Sequence, residues 1–454
     1  MTCLTKAIKL AALIWFLVVG AFFTGHSFAA EAEDANPLRF WKGENKSYLQ
    51  GTISLEIAYF NQGSSWFGED KANLGRSSDE WWESTIRPGL EGSYFFESAG
   101  EIYGRFDAVQ ANTEDIDAAG SNAAFGDVSK IRVEESYVGW RSGDLFASLG
   151  KNALDISFGR QQYIVGNGFL FYNQSSNGGQ RGAFWIGDRH AADYAGIIRL
   201  RTGGWAGDLV YFKADDKPNS DTKLGGATLD YSFDKGKDKV AGLGGGLYYL
   251  NSDIDARDEM LVYNIRGYFK PFEAFDVLPA LKPFELEAEY VYENPDDNDT
   301  GDGNGGYIAA SYQFEKVPWK PDITYRYSRF DKDYDPLFYG FYDWGYWYQG
   351  EILGEYVLIN SNLQSHMVQL NVKPVESLSV NLFYYNFRLD DADAFGVDDE
   401  EYADEAELIV DWTYNDHLLF SFVGAYAWPD DGAKQQTGGN NDWAYMMLYT
   451  KISF

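Results

Sequence analysis

The sequence predicts an all-β fold, a transmembrane antiparallel β-barrel of about eighteen strands with short periplasmic turns and long extracellular loops. Three observations carry that reading. Apolar and polar residues alternate over segments of about ten residues, the length of a tilted membrane strand. The connections alternate between short and long. No stretch after the first thirty residues approaches the roughly 18 uninterrupted apolar residues of a spanning helix. Composition agrees: 454 residues, 17% aromatic, 48 Gly, 12 Pro and a single Cys suit pleated sheets better than helices.

Taken in order, residues 1–29 read as a secretory signal peptide. Lys6 and Lys9 form its basic start, Ala11 to Phe23 its apolar core, and Ser27-Phe28-Ala29 its small-residue cleavage motif. Cleavage there removes Cys3, so no disulfide or thiol chemistry is expected. Residues 30–48 are expected to be a periplasmic segment and 49–454 the barrel. The first strand shows the pattern: Leu49, Gly51, Ile53, Leu55, Ile57 and Tyr59 face one way, and Gln50, Thr52, Ser54 and Glu56 the other. Phe284 to Tyr292 and Met446 to Phe454 repeat it.

Strands are expected at 49–60, 82–96, 101–110, 131–141, 155–163 and 192–201. Six more are expected at 205–213, 226–233, 240–250, 260–270, 283–293 and 306–314. The last six fall at 322–330, 363–373, 379–389, 405–414, 417–428 and 443–454. Ser98-Ala99-Gly100, Thr202-Gly203-Gly204 and Asn415-Asp416 are short turns. The segments 61–81, 111–130, 164–191, 294–305, 331–362, 390–404 and 429–442 are long, polar and acidic. Such asymmetry belongs to outer-membrane barrels of Gram-negative bacteria, with both chain ends in the periplasm.

The formal charge of −32, from 69 acidic and 37 basic residues, argues against a nucleic-acid partner. The expected partners are outer-membrane lipid and lipopolysaccharide around a monomer. For an enzyme, only His190, His366 and His417 follow the signal stretch, and no Ser-His, phosphate-loop or metal-ligand spacing accompanies them. No catalysis, cofactor or metal is expected. Asp296, Asp297, Asp299 and Asp302 have a calcium-loop composition but lack its closing Glu and regular spacing. The acidic run Asp390 to Glu405 reads as a solvated face.

Longer motifs narrow the class. Glu135-Ser136-Tyr137-Val138-Gly139-Trp140, Phe158-Gly159-Arg160-Gln161, Gly166-Asn167-Gly168-Phe169-Leu170 and Ile197-Ile198-Arg199-Leu200 follow one another along the chain. Trp347-Tyr348-Gln349-Gly350-Glu351 and Asn360-Ser361-Asn362-Leu363 come later. In these segments the chain resembles the alginate export family of outer-membrane barrels. The terminal Phe454, with Ile452, Leu448 and Met446 before it, looks like the strand signal read by outer-membrane assembly machinery. The family resemblance implies a monomeric channel with a basic lumen, passing an anionic polysaccharide or smaller solute passively, with a possible periplasmic export assembly behind it.

By strand parity, Arg87, Arg105, Arg199, Arg201, Arg266, Arg326 and Arg388 point inward, with Arg132. A guanidinium ladder of this kind would present fork-shaped donors to carboxylates. Parity also sends Glu56, Glu91, Glu101, Asp107, Glu134, Glu285, Glu287, Glu289, Glu405, Glu407 and Asp411 inward. The arginines are therefore either a pathway for anions or partners of these acids. A diffusion porin, general or substrate-selective, is the alternative that a mixed lumen keeps open. Arg160 shares parity with Ile156 and Phe158, and a charge facing lipid costs about 2–4 kcal/mol. A bulge near Gly159, or a place at the interface, is expected; the Gly-Arg-Gln match implies a lumenal role. Loop 331–362, with Tyr339, Phe341, Tyr342, Trp344, Tyr346, Trp347 and Tyr348, is either a saccharide platform or a folded cap over the pore mouth. Segment 164–182 could also fold inward. A surface-interaction barrel with a plugged pore is the reading from another class.

Overall fold

The computed structural model describes residues 37–454 except 44, 76–78, 98, 121–122, 124–125, 176–180, 188, 217–219, 236–237, 297–300 and 341–348. The expected signal peptide, residues 30–36 of the periplasmic segment and the aromatics Phe341 to Tyr348 lie outside the described residues. So do Asp297 and Asp299 of the calcium-like stretch.

The strands are β1 (Arg39–Lys42), β2 (Tyr48–Gly63), β3 (Glu80–Phe96), β4 (Gly100–Glu114), β5 (Val128–Arg141), β6 (Leu154–Arg160) and β7 (Tyr194–Thr202). Next come β8 (Trp205–Lys213), β9 (Lys223–Lys235), β10 (Asp238–Asn251), β11 (Leu261–Phe269), β12 (Phe284–Asn294) and β13 (Gly303–Gln313). The chain finishes with β14 (Asp322–Phe330), β15 (Leu363–Val375), β16 (Leu378–Leu389), β17 (Glu401–Asn415), β18 (Leu418–Pro429) and β19 (Trp443–Ser453). From β2 to β19 each strand pairs antiparallel with the next, and β19 pairs with β2, closing an eighteen-stranded barrel. Closure pairs every strand edge, the condition for sheet in lipid. Beyond β19, Phe454 exchanges two backbone hydrogen bonds with Ile53, at 2.9 and 3.0 Å. The short β1, which hairpins onto the start of β2, was not expected, because four residues carry no readable alternation.

At one end of the barrel the connections are 97–99, 142–153, 203–204, 236–237, 270–283, 314–321, 376–377 and 416–417. Three of these are longer than tight turns, so the expected asymmetry of loop lengths is a tendency here and not a rule. The segments 64–79, 115–127, 161–193, 214–222, 252–260, 295–302, 331–362, 390–400 and 430–442 connect strands at the other end. We call these the turn end and the loop end.

The outer face is an apolar belt: Ile53, Leu247, Ile265, Ile308 and Leu382 are among its exposed side chains. No helix among the described residues is long and apolar enough to cross a membrane. The core lies inside the barrel toward the loop end. There Phe60 stacks on Trp81 with centroids 4.5 Å apart, and Phe171 meets Tyr248 edge-on at 4.7 Å.

Alternation within a strand defines two faces but does not label them, and Arg388 shows the consequence. Its parity mates Leu382 and Tyr384 are exposed on the outer face, while Phe383, Tyr385 and Phe387 are buried inside. Arg388 therefore sits on the outside, at the loop-end rim, where it pairs with Glu400 at 3.2 Å and with Glu401. The expectation of a lumenal Arg388 is wrong because β16 turns its aromatic face inward, into one core with Ile352 and Leu353 of the 331–362 loop.

Arg160 departs from parity in the other direction. Gly159 has φ +133°, and this break turns Arg160 inward, where it meets Asp215 at 2.6 Å and donates to the Glu134 carbonyl at 2.8 Å. A Cβ at position 159 would lie 2.3 Å from the Ser136 carbonyl oxygen. Gly159→Ala is therefore expected to cost about 2 kcal/mol, read as a lower temperature for loss of the heat-resistant folded band in electrophoresis.

Candidate functional site

The lumen is occupied by two loops, and carboxylates on the wall hold them. Backbone turns inside a barrel leave N–H groups without ladder partners, and a buried donor must find an acceptor. Glu83 on β3 accepts from the N–H groups of Phe184, Trp185 and Ile186 at 3.1, 2.9 and 3.0 Å. Glu134 on β5 accepts from His190 and Ala191, each at 2.8 Å. Across the barrel seam, four strands from β3, Glu405 of β17 accepts from Ile352 and Leu353, each at 2.9 Å, and Glu407 from Glu351 at 2.6 Å. Glu293 of β12 accepts from Asp335 at 2.8 Å. Successive amides converging on one carboxylate form a strong, charge-assisted bracket.

The loops also bind each other. Trp185 packs on Tyr356 with centroids 4.6 Å apart, and the amides of Tyr172 and Asn173 both donate to the Phe338 carbonyl, at 2.7 and 2.9 Å. Gln174 closes a local ring, its side chain accepting from the Tyr163 amide and donating to the Tyr163 carbonyl, each at 2.8 Å. Asp215 bridges Arg160 and Arg181, tying segment 161–193 to the start of loop 214–222. The inward folding raised for 164–182 and 331–362 is thus what the described parts of both loops do. Of the seven aromatic residues from Tyr339 to Tyr348 named for a saccharide platform, only Tyr339 lies among the described residues; it packs against the core.

Most of the charged residues singled out from the sequence face the lumen as balanced groups. Arg87 pairs with Asp107 at 3.0 Å and Glu135 at 2.8 Å, and Arg105 with the same two acids at 2.7 and 3.1 Å. Arg201 pairs with Asp208 at 2.6 Å near the turn end, and Arg266 with Asp230 at 2.7 Å. Arg326 is fully buried and donates to Gln349 at 3.3 Å. Glu285 pairs with Lys270 at 3.2 Å. Glu287 accepts from Tyr307 at 2.6 Å and Asn167 at 2.9 Å, and Glu289 from Asn264 at 2.7 Å. Arg199 differs: its contact is a 3.4 Å hydrogen bond to Ser157, with no ion pair among the described residues. Arg132 is exposed and donates to the carbonyl of Ile131. The signs are interleaved along the same wall from β3 to β8, so most of the ladder is spent on internal pairing.

Beside the 161–193 loop a lumenal cavity of about 300 Å³ remains, lined by Asn167, Asp230, Ser232, Arg266, Tyr268 and Glu287 among others. Inward-facing glycines make this room. A Cβ on Gly244 would fall 1.8 Å from Asp230 Oδ1, and one on Gly242 2.3 Å from the Tyr268 ring.

Several participants were not singled out beforehand. Glu83 and Arg141 sit at inward positions that parity could have flagged; Arg141 pairs with Glu101 at 2.7 Å and Asp155 at 2.9 Å, over the ring of Tyr103. Arg181, Arg189 and Asp215 lie in loops, where no period marks them. The three histidines are not brought together: His190 is in the lumen, His366 bonds Tyr325 on the outer face, and His417 lies at the turn end against Phe454. Burial, with Arg87, Lys451 and Arg189 nearby, pushes the His190 imidazole down to about 3, so it stays neutral. Glu355, in the loop segment pinned by Glu405, is pushed well above the ordinary carboxylate value by burial and then by Glu351, Glu405 and Glu83.

No family model and no curated protein matches the chain. Solved structures do. OccK5 (OpdH) of Pseudomonas aeruginosa is similar with TM-score 0.56 at 10% identity, covering 89% of this chain and 98% of that one. The outer membrane protein OprD of the same organism gives 0.53 at 13%, covering 89% and 94%. OpdK of that organism, crystallised with vanillate, gives 0.55 at 10%, covering 89% and 98%. At such identities these likenesses show the fold. None of the three is an alginate exporter, so the family resemblance read from the motifs receives no support here.

Removing a bracket should loosen its loop without opening the barrel. Glu83→Ala is expected to cost the 184–186 turn about 2 kcal/mol. Hydrogen exchange of these three amides should then speed up by roughly thirtyfold, while amides in β10 to β13 stay protected. Glu355 makes a pH-dependent contribution of the opposite sense to an ordinary ion-paired acid. Its folded-state value is raised, so the stability it lends is complete below the ordinary 4.5 and is lost as pH rises through the raised value. Protection factors across 349–362, which divide out the base catalysis common to all amides, should fall with alkaline pH in the wild type, and Glu355→Gln should flatten that fall.

Proposed function

We propose that the chain is a monomeric outer-membrane diffusion channel of a Gram-negative bacterium that passes small polar solutes selectively. In this reading the turn end faces the periplasm and the loops face outside. The observation that carries it is the pinning of two long loops inside the barrel by Glu83, Glu134, Glu405 and Glu407. They leave a lumenal cavity of about 300 Å³, the scale of a small-molecule site. A polysaccharide chain in transit needs a continuous wide lumen, which brackets of this strength oppose. The paired arginines argue the same way, since an exporter of polyanions needs unpaired guanidinium groups along the whole path. Arg199, partly exposed and without an ion pair among the described residues, is a lumenal cation placed to act on solutes.

The test is planar-bilayer conductance and reversal potential of the purified barrel in a salt gradient, followed by liposome swelling with solutes of graded size. Open conductance is expected, with permeation by amino-acid-sized and monosaccharide-sized solutes and exclusion of uronate oligomers. Vanillate, named with one structural neighbour, serves as a small aromatic carboxylate probe. Arg199→Ala should shift the reversal potential toward cation preference, most clearly at low salt where charges are least screened. The double change Trp185→Ala, Tyr356→Ala should raise the size limit. Passage of uronate oligomers through the unaltered protein would restore polymer export. Absence of conductance would make it a plugged surface barrel.

A further inference from the structure

At the turn end, connection 270–283 folds back against the outer face, next to connection 314–321. Phe275 packs on Phe269 with centroids 6.0 Å apart, Phe272 on Phe284 at 5.8 Å, and the Tyr312 hydroxyl donates to the Ala280 carbonyl. Phe269, Phe284 and Tyr312 are all outward positions, as their register with Leu286 and with one another shows. What the two connections then present is apolar: Phe275 is 70% exposed, Leu278 and Trp319 59% each, and Val277, Val317 and Leu281 are exposed beside them. Water-facing connections do not expose six large apolar side chains together without a partner.

The patch is continuous with the apolar belt through Phe314 and Ile323, both exposed. Lysines surround it. Lys316 and Lys320 are exposed and make no ion pair among the described residues, and the Trp319 carbonyl between them accepts from the Lys373 amide at 2.9 Å. Lys282 neutralises Asp276 at 2.6 Å and Glu273 at 3.4 Å, and Lys270 neutralises Glu285. Glu315 and Glu376 are the exposed acids that remain. The loop end is the opposite: connection 390–400 carries Asp390, Asp391, Asp393, Asp398, Asp399 and Glu400 and no basic residue.

We infer that the 270–283 and 314–321 connections form an interfacial anchor for an anionic phospholipid leaflet, with the apolar side chains in the acyl boundary and Lys316 and Lys320 at the lipid phosphates. Continuity with the belt places the patch at the depth of the headgroups, and long lysine stems let the ammonium groups reach outward while their methylenes stay in the apolar zone. Apolar insertion joined to lysine attraction is the two-part recognition that binds peripheral segments to anionic bilayers. The inference rests on the reading that the belt faces lipid.

The test uses the full-length barrel with Cys3→Ser and one introduced cysteine, either Leu278→Cys in the patch or Leu247→Cys in the middle of the belt, labelled with bimane. Each is reconstituted in phosphatidylcholine vesicles with and without phosphatidylglycerol, and quenching by brominated forms of the two lipids is compared. Bimane at 247 should be quenched by both lipids alike. At 278 quenching should be about twofold stronger with brominated phosphatidylglycerol than with brominated phosphatidylcholine, and Lys316→Glu with Lys320→Glu should abolish that preference. Quenching at 247 but none at 278 overturns the inference and makes the patch a docking face for a protein. Equal quenching at 278 by both lipids overturns the anionic preference. No quenching at 247 means that the belt itself is not in lipid, a failure of the membrane reading and distinct from the other two.

Discussion

Everything in this molecule depends on one requirement, that no backbone N–H or C=O be left unpaired where lipid surrounds it. A strand in hydrocarbon has no water to turn to, so each edge must find a neighbour. The ladder between β19 and β2 satisfies the last edge, and the Phe454–Ile53 exchange continues it to the end of the chain. The apolar belt follows from the same closure, since alternate side chains must then face lipid. An interior of fixed diameter follows as well, and its contents become the next problem for the chain.

The interior is filled by applying the same requirement to loops. Segments 161–193 and 331–362 enter the lumen without a ladder of their own, and wall carboxylates accept their amides, three at Glu83, two each at Glu134 and Glu405 and one each at Glu407 and Glu293. This explains an arrangement that a tally of charges misreads. Glu83, Glu405 and Glu407 make no ion pair with an arginine among the described residues, and Glu134, which lies 3.7 Å from Arg160, spends its other oxygen on two amides. They are acceptors for backbone, and the acid side chain suits this because its two oxygens offer about four lone-pair sites. The aromatic contacts of Trp185 with Tyr356 and of Phe171 with Tyr248 then join the two loops to each other and to the wall.

The remaining lumenal charges sort by distance from these brackets. Toward the turn end, arginines and acids from β3 to β8 interleave closely, with Arg87 and Arg105 sharing Asp107 and Glu135. Such a wall is polar but nearly neutral. A solute crossing it meets hydrogen-bonding groups without a strong single-sign field, and a cation such as Arg199 stands out because its neighbours leave it unpaired. Outside the barrel the two ends differ for a related reason: acidic loops are comfortable in water, while the apolar and lysine-bearing connections of the other end suit a membrane surface.

All eighteen barrel strands were legible in the sequence, to within a few residues, because two-residue alternation is a local property that survives without any knowledge of neighbours. The break at Gly159 was legible too, since a charged Arg160 on a lipid-facing parity is costly enough to demand one. The direction of a face was not always legible. Polarity assigns inside and outside correctly where the lumen is wet, as at Glu287 and Glu289, and fails at Arg388, where the lumen is packed with aromatic side chains and the inner face is the apolar one. The destination of the loops was left open by the sequence, and so was the purpose of the wall acids. Glu83 meets the amides of residues 101 to 103 positions further on, a pairing with no period, motif or spacing to announce it. The sequence by itself determined the strands, their alternation and the closed sheet, because those follow from short-range pattern and the cost of bare backbone in lipid. Only the tertiary structure decided what fills the barrel and which charges remain free within it, because that depends on where distant segments meet.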